Sequence, residues 1–271
     1  MAVAMRVGLM VWEIGDRPFL EQFAWAAAQG FEQVAFHTSP SLAPRRGIDP
    51  ESMSAEGWGR LKAACAPFTH VDLHAPFDLY DVSLVTPNER VRRASVELIE
   101  HTLRLAGRLR ARTVTVHAGT TRSGIADDER RRLLAESLLE LDETAAALGV
   151  VVGVEATEDF EVFDEVCFES TGVTVDVGHV SMNGGASYRP WGSLGGLVRH
   201  LGRRIVHVHV HDYDGRRDHL PVGAGNIDFG EAIGALREVG YEGALCLELA
   251  PSPIIEEGYL RSRDLLRSLL S

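Results

Sequence analysis

The chain has 271 residues, of which 45% are hydrophobic and 24% are charged, and its 39 acidic and 27 basic side chains give a formal net charge of −12. This size and composition are typical of a soluble globular protein with a sizeable core. The negative charge repels phosphate backbones and anionic membranes, so neither nucleic acid nor a membrane is expected as a partner.

The cysteines and the N-terminus indicate a cytoplasmic protein. Cys65, Cys167 and Cys246 are isolated and show no CxxC spacing, which is typical of thiols in a reducing compartment. The apolar N-terminus lacks a basic leader and a small-residue cleavage pattern, so it predicts a first β-strand. No stretch approaches the roughly 18 apolar residues that a membrane span needs.

Short β-branched runs alternate with longer amphipathic stretches along the whole chain. The predicted strands are Met5–Val11, Gln33–His37, His70–His74, Thr113–His117, Val150–Glu155, Val173–Val177, Ile205–His211 and Ala244–Leu249. The predicted helices include Phe19–Gln29, Asn88–Gly107, Asp127–Leu148, Phe229–Val239 and Glu256–Leu270. Glycines expected in left-handed caps just past helix ends are Gly30, Gly107, Gly149 and Gly240. The segment "EDFEVFDEVCFES" is too short for a full crossover helix.

Strand–helix units in series predict a closed parallel barrel, a (β/α)8 TIM barrel that forms one domain over residues 1–271. The alternative is a doubly wound open sheet, which places a glycine-rich phosphate-binding loop after its first strand. The sequence at that position is "MVWEIGDRP" (residues 10–18), and it contains no such loop. The number of units and the missing loop both favour the barrel.

Successive side chains of a strand point to opposite faces, so each barrel strand has one face toward the lumen and one toward the helices. In six predicted strands one face is aliphatic and the other is polar. The aliphatic faces must pack against the helices, which leaves the polar faces for the lumen. The acidic and imidazole side chains expected near the carboxyl ends of the strands, where barrel active sites form, are His74, His117, Glu155, Asp176, His209, His211 and Glu248.

Several carboxylates in one barrel mouth are costly unless cations compensate them. The lumen faces offer no lysine and little arginine, since Lys62 is the only lysine in the chain. We therefore expect a divalent cation, and mixed carboxylate and imidazole ligands suit Mn, Fe, Co or Zn, with Mg as a further candidate. No organic cofactor is predicted. For any single histidine, a hydrogen-bonded core position is the alternative.

Five segments together resemble the xylose isomerase-like TIM barrel superfamily. They are "HAGT", "GVEATEDFE", "VTVDVGH", "HVHVHD…DHLPVGAGNIDF" and "CLEL". The superfamily contains sugar isomerases and epimerases and also the endonuclease IV type of abasic-site nuclease. The resemblance covers nearly the whole chain, and the segment at strand seven is its most specific part.

The epimerase branch implies one divalent metal bound by Glu155, Asp176, His209 and Glu248. Its members move a proton at a carbon next to a carbonyl, with the positions of Glu155 and Glu248 acting as base and acid. The metal polarises the neighbouring oxygens and stabilises the enediolate. The resemblance therefore implies a metal-dependent isomerase or epimerase of a small sugar, sugar phosphate or polyol.

Four residues are candidate substrate contacts. The resemblance implies an acidic contact at Glu161 and a contact from His179 to a substrate oxygen, and we add Trp12 and Arg217. The sequence does not predict which substrate is bound, because specificity in this architecture lies in the loops after the first three strands. The oligomeric state is open as well, although exposed barrel faces often pair and allow a homodimer.

The nuclease branch implies a larger ligand set for three zinc ions, adding His74, His117, His179 and His219. The chain departs from it at Arg217, where that branch has an aspartate two residues before the histidine, and Asp218 is shifted by one. A zinc phosphoesterase acting on abasic DNA or a small phosphate ester is thus the alternative, and a binuclear centre using His74, His117 and His219 stays open. The segment "GAGNIDFGE" (residues 223–231) is either a phosphate cradle or, the favoured interpretation, a structural turn.

Overall fold

The computed structural model describes residues 5–39, 46–77, 81–119 and 124–271. Its strands are β1 (Arg6–Val11), β2 (Gln33–Thr38), β3 (Gly47–Ile48), β4 (His70–His74), β5 (Thr113–His117), β6 (Val151–Glu155), β7 (Thr171–Asp176), β8 (Ile205–Val210) and β9 (Ala244–Leu247). Its α-helices are α1 (Phe19–Ala28), α2 (Ala55–Cys65), α3 (Glu89–Leu109), α4 (Asp127–Leu148), α5 (Val162–Glu165), α6 (Val177–Gly185), α7 (Leu194–Leu201), α8 (Phe229–Glu238) and α9 (Ile255–Leu270).

The strands form one parallel sheet that closes on itself. Neighbouring strands follow the order β1-β9-β8-β7-β6-β5-β4-β2, and β1 also pairs with β2, which completes the ring. The two-residue β3 lies outside the ring and pairs only with the end of β2 among the described strands. The predicted (β/α)8 barrel is confirmed. In the described part of the chain, no helix is both long and apolar enough to span a membrane.

Helix α4 illustrates how the sequence covers the barrel. Acidic residues fill its first turn, where they complement the positive end of the helix dipole, and Gly149 ends it in the left-handed conformation. One stripe of its surface is fully buried, namely Leu134, Leu138, Leu141 and Ala145. Each leucine buried in this way contributes roughly 1.5–3 kcal/mol to the packing of the helix against the sheet.

Several predicted boundaries differ from the structure by one or two residues, and two of the differences have a clear physical reason. Gly107 does not follow α3 but lies inside it, and Arg110 takes the left-handed cap instead. A Cβ at Gly107 would lie 3.4 Å from the Leu148 side chain, so this glycine lets α3 and α4 approach closely. The strand predicted to reach Val177 ends at Asp176, because that carboxylate accepts the His179 N–H and caps α6. The short α5 agrees with the short segment predicted there.

Below the mouth, the polar strand faces fill the lumen as alternation predicts. Thr115 and Thr174 share a hydrogen bond of 3.2 Å across the barrel. A Cβ on Gly153 would lie 2.2 Å from Thr174 Oγ1, so a glycine is required between them. This packed layer forms the floor on which the residues at the carboxyl ends of the strands rest.

Asp72 lies deeper in the same lumen and accepts hydrogen bonds from Gln33 Nε2 at 2.9 Å and Thr113 N at 3.1 Å. Burial raises the pKa of its carboxyl to about 6, although Gln33 and Arg112 oppose the rise. An aspartate with a raised pKa destabilises the fold when ionised, so this cost is present above pH 6 and disappears as the pH falls toward 4.

We therefore expect Asp72→Asn to increase the free energy of unfolding at pH 8 by roughly 2–3 kcal/mol, and by much less at pH 5. Asparagine keeps an acceptor for the Thr113 N–H without burying a charge. Its NH₂ group replaces the acceptor of Gln33 Nε2, but rotation of the Gln33 amide turns Oε1, which has no partner among the described residues, toward it. Urea unfolding at both pH values measures the difference. Asp142→Asn is the matched control, because the Asp142 carboxylate accepts the N–H groups of Glu169 and Ser170 and its loss should destabilise. A pH-independent effect of Asp72→Asn would contradict this account.

Candidate active site

Four side chains from four consecutive strands converge at the carboxyl end of the barrel. Glu155 ends β6, Asp176 ends β7, His209 lies on β8 and Glu248 directly follows β9. One ligand atom from each lies within 4.8 Å of the others, and all four residues are buried. The Glu248 N–H still donates to Val210 O at 3.1 Å, which holds its side chain in register with His209.

Each of two carboxylates uses one oxygen for protein contacts and directs the other into this cluster. Glu155 Oε1 accepts a hydrogen bond of 2.7 Å from His179 Nδ1. Asp176 Oδ1 accepts one of 2.8 Å from His179 N. The oxygens left over, Glu155 Oε2 and Asp176 Oδ2, face His209 Nδ1 at 3.1 and 3.9 Å. His179 therefore orients both carboxylates at once.

The facing atoms are close together but are not hydrogen-bonded. His209 Nδ1 lies 2.9 Å from Glu248 Oε2, yet among the described residues none of the four converging atoms has a partner with hydrogen-bond geometry. Unpaired carboxylate oxygens in such a site are costly unless a cation binds them. Three carboxylate oxygens and one imidazole nitrogen match the ligands that Mn, Fe, Co, Zn or Mg take in proteins, so these residues fit a divalent metal.

The electrostatics of the cluster keep both glutamates ionised. Burial acts to raise the pKa of Glu155, but His117 and His179 outweigh it and hold this pKa well below its usual value. Burial also acts to raise the pKa of Glu248, but the neighbouring His209 outweighs it and holds this pKa well below its usual value. The pKa of His209 is raised well above its usual value, since the Glu248 and Glu155 carboxylates outweigh its burial. In the absence of a metal, protons on histidines thus balance the carboxylates.

A second group of ligand atoms shares Glu155. His74, His117 and Glu155 also have ligand atoms within 4.8 Å of one another. The Nε2 atoms of His74 and His117 lie 3.9 and 3.5 Å from Glu155 Oε2. The two histidines predicted from the nuclease branch are therefore beside the core cluster, on the side of β4 and β5.

The third group lies on the opposite side, and it contains His179, His211 and His219, again with ligand atoms within 4.8 Å. Here Asp218, rather than the residue before it, approaches the site, with its Oδ2 4.0 Å from His179 Nε2. Arg217 turns outward, where its side chain is 74% exposed and pairs with Asp214 at 2.9 Å. Its proposed contact with substrate stays a prediction.

A cavity of about 590 Å³ opens beside His179. Its wall includes Glu161, Phe160 and Trp191. Trp12 lies at the other side of the mouth, with its ring edge-on to His37 at 5.5 Å and to His219 at 6.1 Å. Glu161 and His179 thus line one cavity, and Trp12 contacts His37 and His219 instead. Residues 40–45 and 78–80, which belong to the loops expected to set specificity, lie outside the described residues.

The glycine-rich segment is a structural turn, as favoured above. Its backbone N–H groups at Gly223, Gly225 and Ile227 all donate to the carboxylate of Asp212, at 3.0, 2.8 and 3.2 Å. The Tyr213 N–H donates to the same carboxylate at 2.8 Å. An internal anion therefore takes the donors that a phosphate would need.

His37 was not singled out from the sequence, and His211 was placed on the lumen side without a partner. His37 Nε2 lies 3.9 Å from Glu248 Oε1, because only β1 separates β2 from β9 in the closed ring. His211 Nε2 lies 3.0 Å from Asp176 Oδ1. The alternation in "HVHVHD" placed His211 on the lumen side but gave no signal for its partner.

The chain matches the model of a protein family described as "Xylose isomerase-like TIM barrel" over residues 23–269. An uncharacterized protein of Methanocaldococcus jannaschii is 31% identical to it over 196 residues, which cover 65% of this chain and 63% of that protein. The chain therefore spans less than two thirds of the length of this relative.

Similarity extends to sugar epimerases. An L-ribulose 3-epimerase of Mesorhizobium japonicum is 26% identical over 272 residues, covering 92% of this chain and 86% of that enzyme. The crystal structure of a D-tagatose 3-epimerase-like protein superimposes with a TM-score of 0.78 at 24% identity, covering 98% of this chain and 97% of the other. At this level of identity, the structural match establishes the shared fold.

Proposed function

Because the chain belongs to the xylose isomerase-like TIM barrel family, we propose that it is a divalent-metal-dependent epimerase or isomerase of a small sugar or related polyol. The observation that carries the proposal is the placement of two ionised glutamates around one imidazole. Glu155 Oε2 and Glu248 Oε2 lie 3.1 and 2.9 Å from His209 Nδ1, and they reach it from strands separated by β7 and β8.

Glu155, Asp176, His209 and Glu248 would hold the metal. When bound, a divalent cation polarises a substrate carbonyl and lowers the energy of the negative charge that develops on its oxygen. Glu155 and Glu248 approach the bound substrate from different directions. One ionised carboxylate would accept the proton from the carbon next to the carbonyl. The other would first take a proton from solvent and then deliver it to the opposite face, which inverts that carbon.

His179 and Glu161 are proposed to bind the substrate. The His179 Nδ1–H is committed to Glu155, so its Nε2 is the atom available to a substrate oxygen. Glu161 is exposed on the wall of the same cavity and can accept a hydroxyl hydrogen bond. Trp12 offers an apolar edge on the opposite side.

The test is exchange of substrate hydrogen with deuterium oxide. D-tagatose and L-ribulose name two structural relatives, so a panel of ketoses that includes both is the starting point. We expect Mn²⁺- or Co²⁺-dependent incorporation of deuterium at a carbon next to the carbonyl, abolished by a chelator. Absence of exchange on every ketose with every metal would overturn the proposal.

A zinc phosphoesterase is the second candidate, favoured by the His74, His117 and Glu155 group. Metal analysis of the purified protein separates the two. One or two divalent ions per chain without phosphatase activity support the epimerase. Three zinc ions together with cleavage of abasic DNA or of a small phosphate ester would replace it by the phosphoesterase.

A further inference from the structure

His211 is a fully buried histidine that has no part in the reaction described so far. It follows β8, and its ring stacks on that of His219 with 4.1 Å between centroids and 8° between planes. The ring occupies the space above Gly178, where a Cβ would lie only 2.0 Å from His211 Cε1. Glycine is therefore required at position 178 if the His211 ring is to fit behind the core cluster.

The contacts of His211 fix which of its nitrogens carries the proton. The backbone N–H of His219 donates to His211 Nδ1 at 2.8 Å. The Asp212 carbonyl oxygen lies farther from the same nitrogen, at 3.3 Å. Because a backbone N–H is only a donor, the shorter contact requires a lone pair on Nδ1 and places the proton on Nε2. A protonated Nε2 is not a metal ligand, even though His179, His211 and His219 have ligand atoms close together. It is instead a donor, and it faces a carboxylate.

That carboxylate belongs to a core ligand. His211 Nε2 lies 3.0 Å from Asp176 Oδ1, although its angle falls outside the hydrogen-bond range. Asp176 Oδ1 also accepts the His179 N–H at 2.8 Å. Both donors are thus on the Oδ1 side, and Oδ2 is left to face Glu155 and His209.

We propose that His211 is a positioning residue that holds the Asp176 carboxylate with Oδ2 toward the metal. It also connects this ligand to the segment that carries His219, since Nδ1 accepts the His219 N–H. The inference rests on the proposed function, because it concerns the metal held by Asp176. Partners of ligating carboxylates and imidazoles typically change metal affinity by about 10–100-fold when they are removed.

Two amide substitutions separate the two contacts of His211. The glutamine of His211→Gln places its amide nitrogen near the position of Nε2 and can still donate to Asp176. The asparagine of His211→Asn places its oxygen near the position of Nδ1, so it keeps the His219 contact and loses the donor to Asp176. Mn²⁺ affinity, measured from the electron paramagnetic resonance signal of free Mn²⁺, compares both variants with the native protein. Thermal unfolding of the metal-free proteins checks that they fold.

We expect His211→Asn to bind Mn²⁺ about 10–100-fold more weakly and His211→Gln to stay within about threefold of the native protein. At saturating Mn²⁺, the kcat of His211→Asn should recover while its half-activating Mn²⁺ concentration stays raised. Native affinity in His211→Asn, or equal loss in both variants, would overturn the inference in favour of simple packing. Native protein that binds Mn²⁺ without catalysing exchange would overturn the proposed function alone, and native protein that binds no divalent ion would overturn both.

Discussion

Replacing Glu155 or Glu248 by glutamine is expected to lower the rate of deuterium exchange at the reacting carbon by roughly 10³-fold or more. Removing a general base or acid typically costs about 10²–10⁴-fold, and each of these glutamates is also a proposed metal ligand. Glutamine has nearly the same volume, so the packing of the mouth is conserved. The loss should therefore appear in kcat when exchange is measured at saturating Mn²⁺.

The two roles of each glutamate are separated by measuring Mn²⁺ occupancy in the same samples. A variant that is fully loaded with metal and still inactive has lost proton transfer, whereas an unloaded variant has lost a ligand. Glu231→Gln is the control, because Glu231 on α8 accepts hydrogen bonds from Ser193 and Gly195 and is not one of the converging side chains. We expect this control to exchange at the native rate. Native activity in either Glu155→Gln or Glu248→Gln would refute their assignment.

The core cluster was predictable because strand alternation is a strict geometric rule. In β8, the valines at 206, 208 and 210 must lie opposite His207 and His209, so the aliphatic face determines where the imidazoles point. Closure of the barrel then brings the ends of β6, β7, β8 and β9 together without further information. The sequence was sufficient to predict where a side chain points wherever this follows from the two-residue period of its own strand.

Positions set by contacts between distant segments were not predictable in the same way. Gly107 fits a helix cap by composition, but its packing against Leu148 requires knowing that α3 and α4 are neighbours. Arg217 and Asp218 are adjacent in sequence, and the Asp214 carboxylate decides which of them turns outward, because it holds the Arg217 N–H and guanidinium. The donor role of His211 depends on the His219 N–H, which a loop brings back from eight residues away.

Asp212 organises that loop, and Asp212→Ala is expected to lower the free energy of unfolding by about 3 kcal/mol. The buried carboxylate accepts the N–H groups of Tyr213, Gly223, Gly225 and Ile227, between 2.8 and 3.2 Å. Hydrogen bonds to a charged group contribute about 1.5–3 kcal/mol each, but water can replace part of them in this half-exposed segment. Thermal unfolding should show a decrease of roughly 5–10 °C in Tm.

Loss of these bonds should also reach the active site, because residues 212–227 carry Asp218 and His219 to the mouth. Asp212→Asn should lose nearly as much stability as the alanine variant, since its NH₂ group would meet the N–H groups of Gly223 and Gly225 donor to donor. Gly225→Ala tests the same contact from the other side, because its Cβ would lie 2.4 Å from Asp212 Oδ1. Asp214→Asn, in the exposed part of the loop, should destabilise far less. If Asp212→Asn and Asp214→Asn lowered the free energy of unfolding equally, the buried Asp212 carboxylate would have no special role in stabilising the loop.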